Sequence, residues 1–295
     1  MAADVGNDSG FRGFMAICRF GRSALADGRP GLSGPRAGGG VIMKRLAGLS
    51  LAACGVAAVV AGYFLLRPAP DVCDAPKEIA GFRVPLPNTA RALRRGKTLK
   101  IVAIGSSSTE GIGASDRSKN YPSRLAEELL RRFPDREINV VNKGIGGETA
   151  SQMLVRFQKD VLDLKPNLVI WQLGSNAALK GVDPEKFEGT VREGVRRLKA
   201  IDVDIVLMDL QLSPRVLKRP AHQKIMRIIK ATAQDTKVAV FRRFDAMQYW
   251  YKDGGMQPND IMSRDQLHMN DLGYACVARL LASSLADAVN ETAKP

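Results

Sequence analysis

Short apolar runs alternate with amphipathic segments along residues 98–295 of the chain. Each run has the length and β-branched composition of a buried strand, and most are followed by a segment with apolar residues at helical spacing. The predicted strands are 99–104, 138–141, 168–173, 204–210 and 238–241. The predicted helices are 121–133, 149–164, 184–200, 216–234 and 272–289. Strands separated by helices of this length predict parallel βαβ units, and therefore an α/β domain whose sheet is covered on both faces.

A continuous apolar segment precedes this domain. Residues 46–66 contain no charged side chain, and a run of 21 residues is long enough to cross the hydrocarbon core of a membrane as a helix. Lys44 and Arg45 come directly before it, which predicts an N-terminus inside the cell and a domain outside it. We therefore predict a signal anchor or transmembrane segment at 43–67. Two alternatives stay open, cleavage as a signal peptide and lipidation at Cys54, because residues 51–54 resemble a lipobox.

The flanking regions carry no periodic pattern. Residues 1–42 are rich in Gly, Pro and Arg, which predicts a disordered extension, or an untranslated one if the chain starts at Met43. Residues 68–97 are interpreted as a linker, and the domain is placed at 98–295. The four cysteines show no metal-like spacing, so neither a zinc module nor a disulfide scaffold is expected. Cys73 falls in the linker without an obvious partner, and Cys276 is predicted to be a small buried side chain.

The charge balance favours acidic partners. Lys and Arg total 44 against 30 Asp and Glu, which gives a net charge of +14 at pH 7. Such a charge suits anionic lipid headgroups, acidic polysaccharide or nucleic acid. No nucleic acid is expected as a partner, because basic and aromatic residues are not interleaved and an exported domain rarely meets nucleic acid.

Small, hydroxyl-bearing or amide-bearing residues follow three of the predicted strands. The carboxyl ends of parallel strands form the binding edge of such a sheet. These segments are 105–109 (GSSST) after the first strand, 142–149 (NKGIGGET) after the second and 174–176 (GSN) after the third. A fourth segment, 265–274 (DQLHMNDLGY), precedes the last helix and contains one of the two histidines in the chain.

In this order the four segments resemble the motifs of the SGNH (GDSL-type) hydrolases, a family of esterases and acylhydrolases, over residues 98–290. The resemblance assigns one role to each of five residues: nucleophile to Ser107, oxyanion-hole donor to Gly147 and Asn176, and the acid–base pair to Asp265 and His268. Ser106 and Ala177 replace two aspartates of the family motifs, which leaves the catalytic roles intact. The resemblance implies a flavodoxin-like three-layer sandwich with about five parallel strands and no cofactor or metal.

The chemistry of these residue types agrees with that assignment. A serine hydroxyl becomes a good nucleophile when a neighbouring base removes its proton, and imidazole titrates near neutral pH. A carboxylate orients the imidazole and stabilises its charged form, which fits Asp265 and His268, three residues apart in one loop. The N–H groups of Ser107 and Gly147 and the amide of Asn176 can then stabilise the oxyanion. His222 follows a basic stretch and is predicted to be a solvated residue at a helix start, while Trp171 is predicted to lie in the core.

We therefore predict a serine esterase that hydrolyses a small acyl ester through an acyl-enzyme. An acyl group on an envelope glycan, O-acetyl above all, is the predicted substrate, and the periplasmic side of the inner membrane is the predicted location. Two alternatives stay open. The same residues would serve an acyltransferase, and a non-catalytic protein that binds an envelope polymer would not assemble Ser107, Asp265 and His268.

Overall fold

The structure is a computed structural model that describes residues 72–292. The predicted extension at 1–42 and the predicted membrane segment at 43–67 lie outside the described residues, as does the first part of the predicted linker.

Five parallel strands form one sheet. They are β1 (Leu99–Gly105), β2 (Ile138–Gly144), β3 (Leu168–Gln172), β4 (Asp204–Met208) and β5 (Ala239–Phe241). The strand order is β2-β1-β3-β4-β5, which is the flavodoxin-like order of a doubly wound sheet. In register, Ile101 of β1 pairs with Val140 of β2 and with Leu168 of β3. The predicted α/β class and all five predicted strands are confirmed.

Helices connect the strands and lie on both faces of the sheet. Before the first strand come α1 (Lys77–Ala80) and α2 (Pro87–Arg94), and between β1 and β3 come α3 (Ser107–Glu110), α4 (Tyr121–Arg132), α5 (Ala150–Val155) and α6 (Phe157–Asp160). Between β3 and β5 come α7 (Ser175–Lys180), α8 (Pro184–Lys199), α9 (Pro214–Leu217) and α10 (Ala221–Thr236). The chain ends with α11 (Arg243–Lys252), α12 (Pro258–Ile261) and α13 (Asp271–Glu291). Arg117–Lys119 and Leu162–Leu164 form 3₁₀ turns.

Alternate residues of each strand enter two separate core clusters, because successive side chains of a strand point to opposite faces. Ile101 and Ile170 belong to the cluster that includes side chains of α2, α4, α11 and α13. Val102 and Trp171 belong to the cluster that includes side chains of α5, α6, α8 and α10. Trp171 is fully buried, as predicted, and its ring meets the Phe157 ring edge-on at 4.9 Å. The domain is therefore three layers with a core on each side of the sheet.

Two predicted helices are interrupted. The predicted helix 149–164 breaks at Arg156, whose backbone leaves the helical region (φ −101°, ψ 6°). The predicted helix 216–234 is divided into α9 and α10 near Pro220, which has no N–H to donate. Helix α11 was not predicted, because its apolar residues are not confined to one helical stripe.

The described part of the predicted linker belongs to the domain, so that prediction is wrong for residues 72–97. Leu86, Ala90 and Leu93 are buried in the first core cluster. The Thr89 N–H and hydroxyl donate to the Asp204 carboxylate at 2.7 and 2.8 Å. Cys73 forms a disulfide with Cys276 of α13, so neither residue has the free side chain that the sequence analysis expected.

The last helix is a core helix of this domain. Among residues 72–292, α13 is the helix that is long and apolar enough to cross a membrane, but 67% of its most apolar stretch is buried inside the domain. It packs against α4 and shares the first core cluster with β1. The apolar residues of this helix are therefore accounted for by the core of the domain.

Candidate active site

The turn after β1 positions Ser107 at the carboxyl edge of the sheet. Gly105 ends the strand, and a Cβ there would lie 2.1 Å from Thr109 Oγ1, so only glycine fits. Ser107 is the first residue of α3 and is half-buried. At this position a helix leaves the backbone N–H without an intrahelical acceptor. The turn thus presents a side-chain hydroxyl and a backbone donor at the same place.

Ser107, His268 and Asp265 form one hydrogen-bonded chain. The Ser107 Oγ lies 2.8 Å from His268 Nε2, and His268 Nδ1 lies 2.5 Å from Asp265 Oδ2. The histidine side chain is 12% exposed, which leaves one edge of the ring near solvent. Each nitrogen therefore has a separate partner, and the aspartate fixes which nitrogen carries the proton. The structure brings together these three predicted residues from opposite ends of the domain.

Four hydrogen bonds hold Asp265 in its ionised form. Burial by itself raises the pKa of this carboxyl, but the backbone N–H groups of His268 and Leu267, the Ser263 hydroxyl and the His268 ring all donate to it. Their sum holds the pKa of Asp265 well below its usual range. The carboxylate therefore stays charged beside the imidazole at neutral pH.

The loop after β2 passes close to Ser107. A Cβ on Gly146 would lie 4.0 Å from Ser107 Cβ, and Gly147 adopts a left-handed backbone with φ +76°. Asn176, near the start of α7, donates from Nδ2 to the backbone oxygen of Glu148 at 2.8 Å. An amide has two N–H bonds, and this contact uses one of them. Gly147 and Asn176 thus lie on two segments that contact each other, one of which crosses Ser107.

Arg156 holds this loop in place, a role that the sequence analysis missed. Its guanidinium donates to the Lys143 backbone oxygen at 2.9 Å, to the Gly105 oxygen at 3.3 Å and to the Glu148 carboxylate at 2.6 Å. These contacts are made from the residue at which the helix ends. The sequence does contain a signal for a polar contact at this position, because a lone arginine lies between the apolar residues Val155 and Phe157.

Gln172 contacts the turn that carries Ser107, and sequence reasoning did not single it out. Its Oε1 accepts from the Ser106 N–H at 2.9 Å, from the Ser106 hydroxyl at 3.1 Å and from Thr109 Oγ1 at 3.2 Å. The residue is the one polar position in the otherwise apolar strand segment LVIWQ. A buried amide at the end of a central strand is a recognisable signal of a polar contact with a neighbouring loop.

His222 is not the solvated residue that was predicted. It is buried, its Nδ1 lies 2.7 Å from the Arg219 backbone oxygen, and its ring stacks on Phe244. Its role is therefore structural. Within residues 72–292 no group of three or more His, Cys, Asp or Glu side chains is arranged to hold a metal ion.

Residues 72–291 match the family model of the Non-GDSL lipase-like family. The chain belongs to that family. Thioesterase 1/protease 1/lysophospholipase L1 of Escherichia coli is 30% identical over 163 residues, 54% of this chain and 75% of that protein. An acetylxylan esterase of Geobacillus stearothermophilus is 26% identical over 49% of this chain and 75% of its own length.

The fold of this chain also matches solved structures. A two-domain esterase active on acetylated mannans aligns with a TM-score of 0.60 and 22% identity, over 73% of this chain and 57% of that one. The resemblance to SGNH hydrolases that the sequence predicts is confirmed by the family and the fold. The predicted enzyme class, a carboxylic ester hydrolase, is confirmed as well.

Proposed function

We propose that Ser107 is the nucleophile, His268 the general base and Asp265 the orienting carboxylate of a serine esterase. The observation that carries this proposal is the position of the His268 ring, 2.8 Å from the serine oxygen and 2.5 Å from the carboxylate. These separations lie at or close to the range in which a base removes a proton.

The reaction then proceeds in two halves. His268 Nε2 takes the Ser107 proton while the serine oxygen attacks the ester carbonyl, and the imidazolium gives that proton to the leaving alcohol. A water molecule, deprotonated by the same nitrogen, attacks the acyl-enzyme. The imidazolium then returns this proton to the serine oxygen as the acyl bond breaks, which releases the acid and free Ser107. Asp265 stays ionised throughout, because its pKa lies well below its usual range.

Three donors are proposed for the oxyanion: the N–H groups of Ser107 and Gly147 and the second amide N–H of Asn176. Supporting contacts are the Asn176–Glu148 hydrogen bond and the passage of the Gly146 backbone over Ser107. The loss of one such donor costs about 2.7–4 kcal/mol of transition-state stabilisation.

The proposed substrate is a small acyl ester, with O-acetyl groups of an envelope glycan as the natural class. A relative named acetylxylan esterase supports the acetyl group and the polysaccharide. The net charge of +14 supports an anionic polymer, because a positive surface raises the local concentration of such a substrate.

The proposed location is outside the cytoplasm, either anchored in the inner membrane through residues 46–66 or exported. The Cys73–Cys276 disulfide supports this location, since disulfides persist in oxidising compartments and are rare in the cytosol. Fractionation of the tagged full-length protein, with protease added from outside, tests it. A protein found intact in the cytosol would contradict the proposal.

The activity is tested with p-nitrophenyl esters of increasing acyl length. We expect kcat/KM to be highest for C2 to C4 chains and to fall steeply by C8. Ser107→Ala and His268→Gln are expected to lose at least about a thousandfold in kcat. His222→Gln is the matched control, because it changes the other histidine of the chain, and it is expected to retain activity. Rates that rise from C8 to C12 would contradict the small acyl group, and an active Ser107→Ala protein would contradict the mechanism.

A further inference from the structure

A buried glutamine links three segments of the candidate site. Gln211 follows β4 and is 2% exposed. Its Oε1 accepts from the Ser108 hydroxyl at 2.5 Å and lies 3.5 Å from the Ser175 hydroxyl. Its Nε2 donates to the Leu267 backbone oxygen at 2.8 Å. One amide therefore contacts the turn after β1, the start of α7 and the loop before α13.

Each of these contacts is next to a residue with a proposed role. Ser108 follows Ser107, Ser175 precedes Asn176, and Leu267 precedes His268. The three neighbours come from segments that are separated by more than 60 residues in the sequence. No other contact described above joins the serine turn, the asparagine helix and the histidine loop through a single side chain.

The contact with Leu267 acts directly on the histidine. The Leu267 carbonyl and the His268 N–H belong to the same peptide group, which is planar and rigid. Gln211 Nε2 donates to the Leu267 oxygen of that peptide. The His268 N–H of the same peptide donates to Asp265 Oδ1 at 2.9 Å. The peptide is thus held at both ends, and its orientation fixes the position from which the imidazole reaches Ser107.

We propose that Gln211 is a positioning residue that sets the distance between the serine oxygen and the histidine ring. The proposal rests on the proposed function of Ser107 and His268. It assigns Gln211 no contact with the substrate, so its effect belongs to the chemical step and not to binding. A displacement of about 1 Å in reacting groups can cost about a hundredfold in rate.

Gln211→Met removes the contacts with Ser108, Ser175 and Leu267 at similar side-chain length. We expect kcat per active site to fall about ten- to a hundredfold while KM stays within about twofold. The amplitude of the p-nitrophenol burst gives the concentration of active sites. Dividing the rate by this concentration ensures that a smaller folded fraction is not mistaken for a lower kcat. Gln248→Met, on the exposed side of α11, is the matched control and is expected to leave kcat unchanged.

Gln211→Glu separates positioning from folding. A protonated glutamic acid can donate to the Leu267 oxygen and still accept from Ser108, whereas a carboxylate cannot donate and repels that oxygen. We therefore expect kcat relative to the unchanged protein to be nearly normal at pH 5. The ratio is expected to fall at least about tenfold by pH 9, as the buried carboxyl ionises.

The segments that contact Gln211 carry other ionisable groups, which are Glu110 on α3, Lys180 on α7, and Asp265 and His268 in the loop. Asp209 lies two residues before Gln211, and Arg243 of α11 donates to the Asp209 backbone oxygen at 2.7 Å. All are present in both proteins, so the ratio removes the part of their titration that the substitution leaves unchanged. Gln211→Met has no ionisable group and is expected to give a flat ratio.

The outcomes distinguish this inference from the proposed function. A Gln211→Met protein with kcat within twofold of the unchanged protein would overturn the positioning role, as would a flat ratio for Gln211→Glu. If Ser107→Ala is inactive in the same experiments, the proposed function survives that result. If Ser107→Ala is active, the proposed function itself fails. Should Gln211→Met not fold, Ser108→Ala removes one contact alone and is expected to lower kcat with a flat pH ratio.

Discussion

Loss of the Cys73–Cys276 disulfide is expected to destabilise the domain strongly. The two cysteines are 203 residues apart, so their bond closes nearly the whole domain into one loop. The chain-entropy relation gives a loss of about 5 kcal/mol in the free energy of unfolding for a loop of that length, because the unfolded chain gains conformational entropy when the disulfide is absent. That value is comparable to the total stability of many domains, which is about 5–15 kcal/mol. Cys73→Ala should therefore leave a domain that is only marginally folded.

Urea unfolding measures this effect, and Trp250 is a local reporter because its Nε1 donates to the Cys73 backbone oxygen at 3.1 Å. Cys18 and Cys54 are replaced by alanine in every protein, so that only one disulfide can form. Cys276→Ala is expected to match Cys73→Ala, and the double variant to lose at most about 1 kcal/mol more from packing. A reductant should destabilise the parent and leave the variants unchanged. A loss below about 1 kcal/mol for Cys73→Ala would refute the reasoning.

Three further predictions follow from the site and the core. Asn176→Ala is expected to lower kcat about a hundred- to a thousandfold in the p-nitrophenyl acetate assay with little change in the urea midpoint, because it removes one proposed oxyanion donor. Gly194→Ala should cost about 1–3 kcal/mol in urea unfolding, since its Cβ would lie 2.3 Å from the buried Trp171 ring, whereas Gly189→Ala in the same helix meets no atom within 4 Å and should stabilise by about 0.5–1 kcal/mol. Burial raises the pKa of Asp209 to about 7, so the folded state keeps a proton that the unfolded state loses near pH 4. The unfolding free energy should therefore fall as pH rises from about 4 to about 7, by up to about 1.4 kcal/mol per pH unit, and Asp209→Asn should flatten this slope in urea titrations at pH 5 and 7.5.

Much of the fold follows from local sequence patterns. The strands are short apolar runs whose neighbours are helices, and a parallel sheet covered on both faces is the arrangement that buries them all. The errors occur where a distant contact overrides the local pattern. Arg156, where a predicted helix ends, donates to backbone oxygens of two other segments. Cys73 joins the domain because its partner lies in the last helix, which no local spacing indicates.

The residue types of the candidate site were predictable because each lies in a short segment at a strand end or beside the last helix. Ser107 and Asn176 follow central strands, so the topology brings them to the same edge of the sheet. Asp265 and His268 are close in sequence, and their hydrogen bond spans only three residues. The contact between His268 and Ser107 spans 161 residues, and the sequence alone indicated the pairing of roles but not the distance.

The residues that set these distances are polar side chains without a catalytic motif. Gln172 holds the turn that carries Ser107, and Arg156 holds the loop that crosses it. Gln172 accepts from a backbone N–H, and Arg156 donates to backbone oxygens. Because backbone groups do not depend on the side chain, the sequence does not show which residues are the partners. A buried amide or guanidinium is costly without a partner, and its presence at a strand end or a helix break therefore indicates a long-range contact. The residue types proposed for catalysis lie in short motifs, whereas their spacing depends on buried polar residues whose partners only the fold identifies.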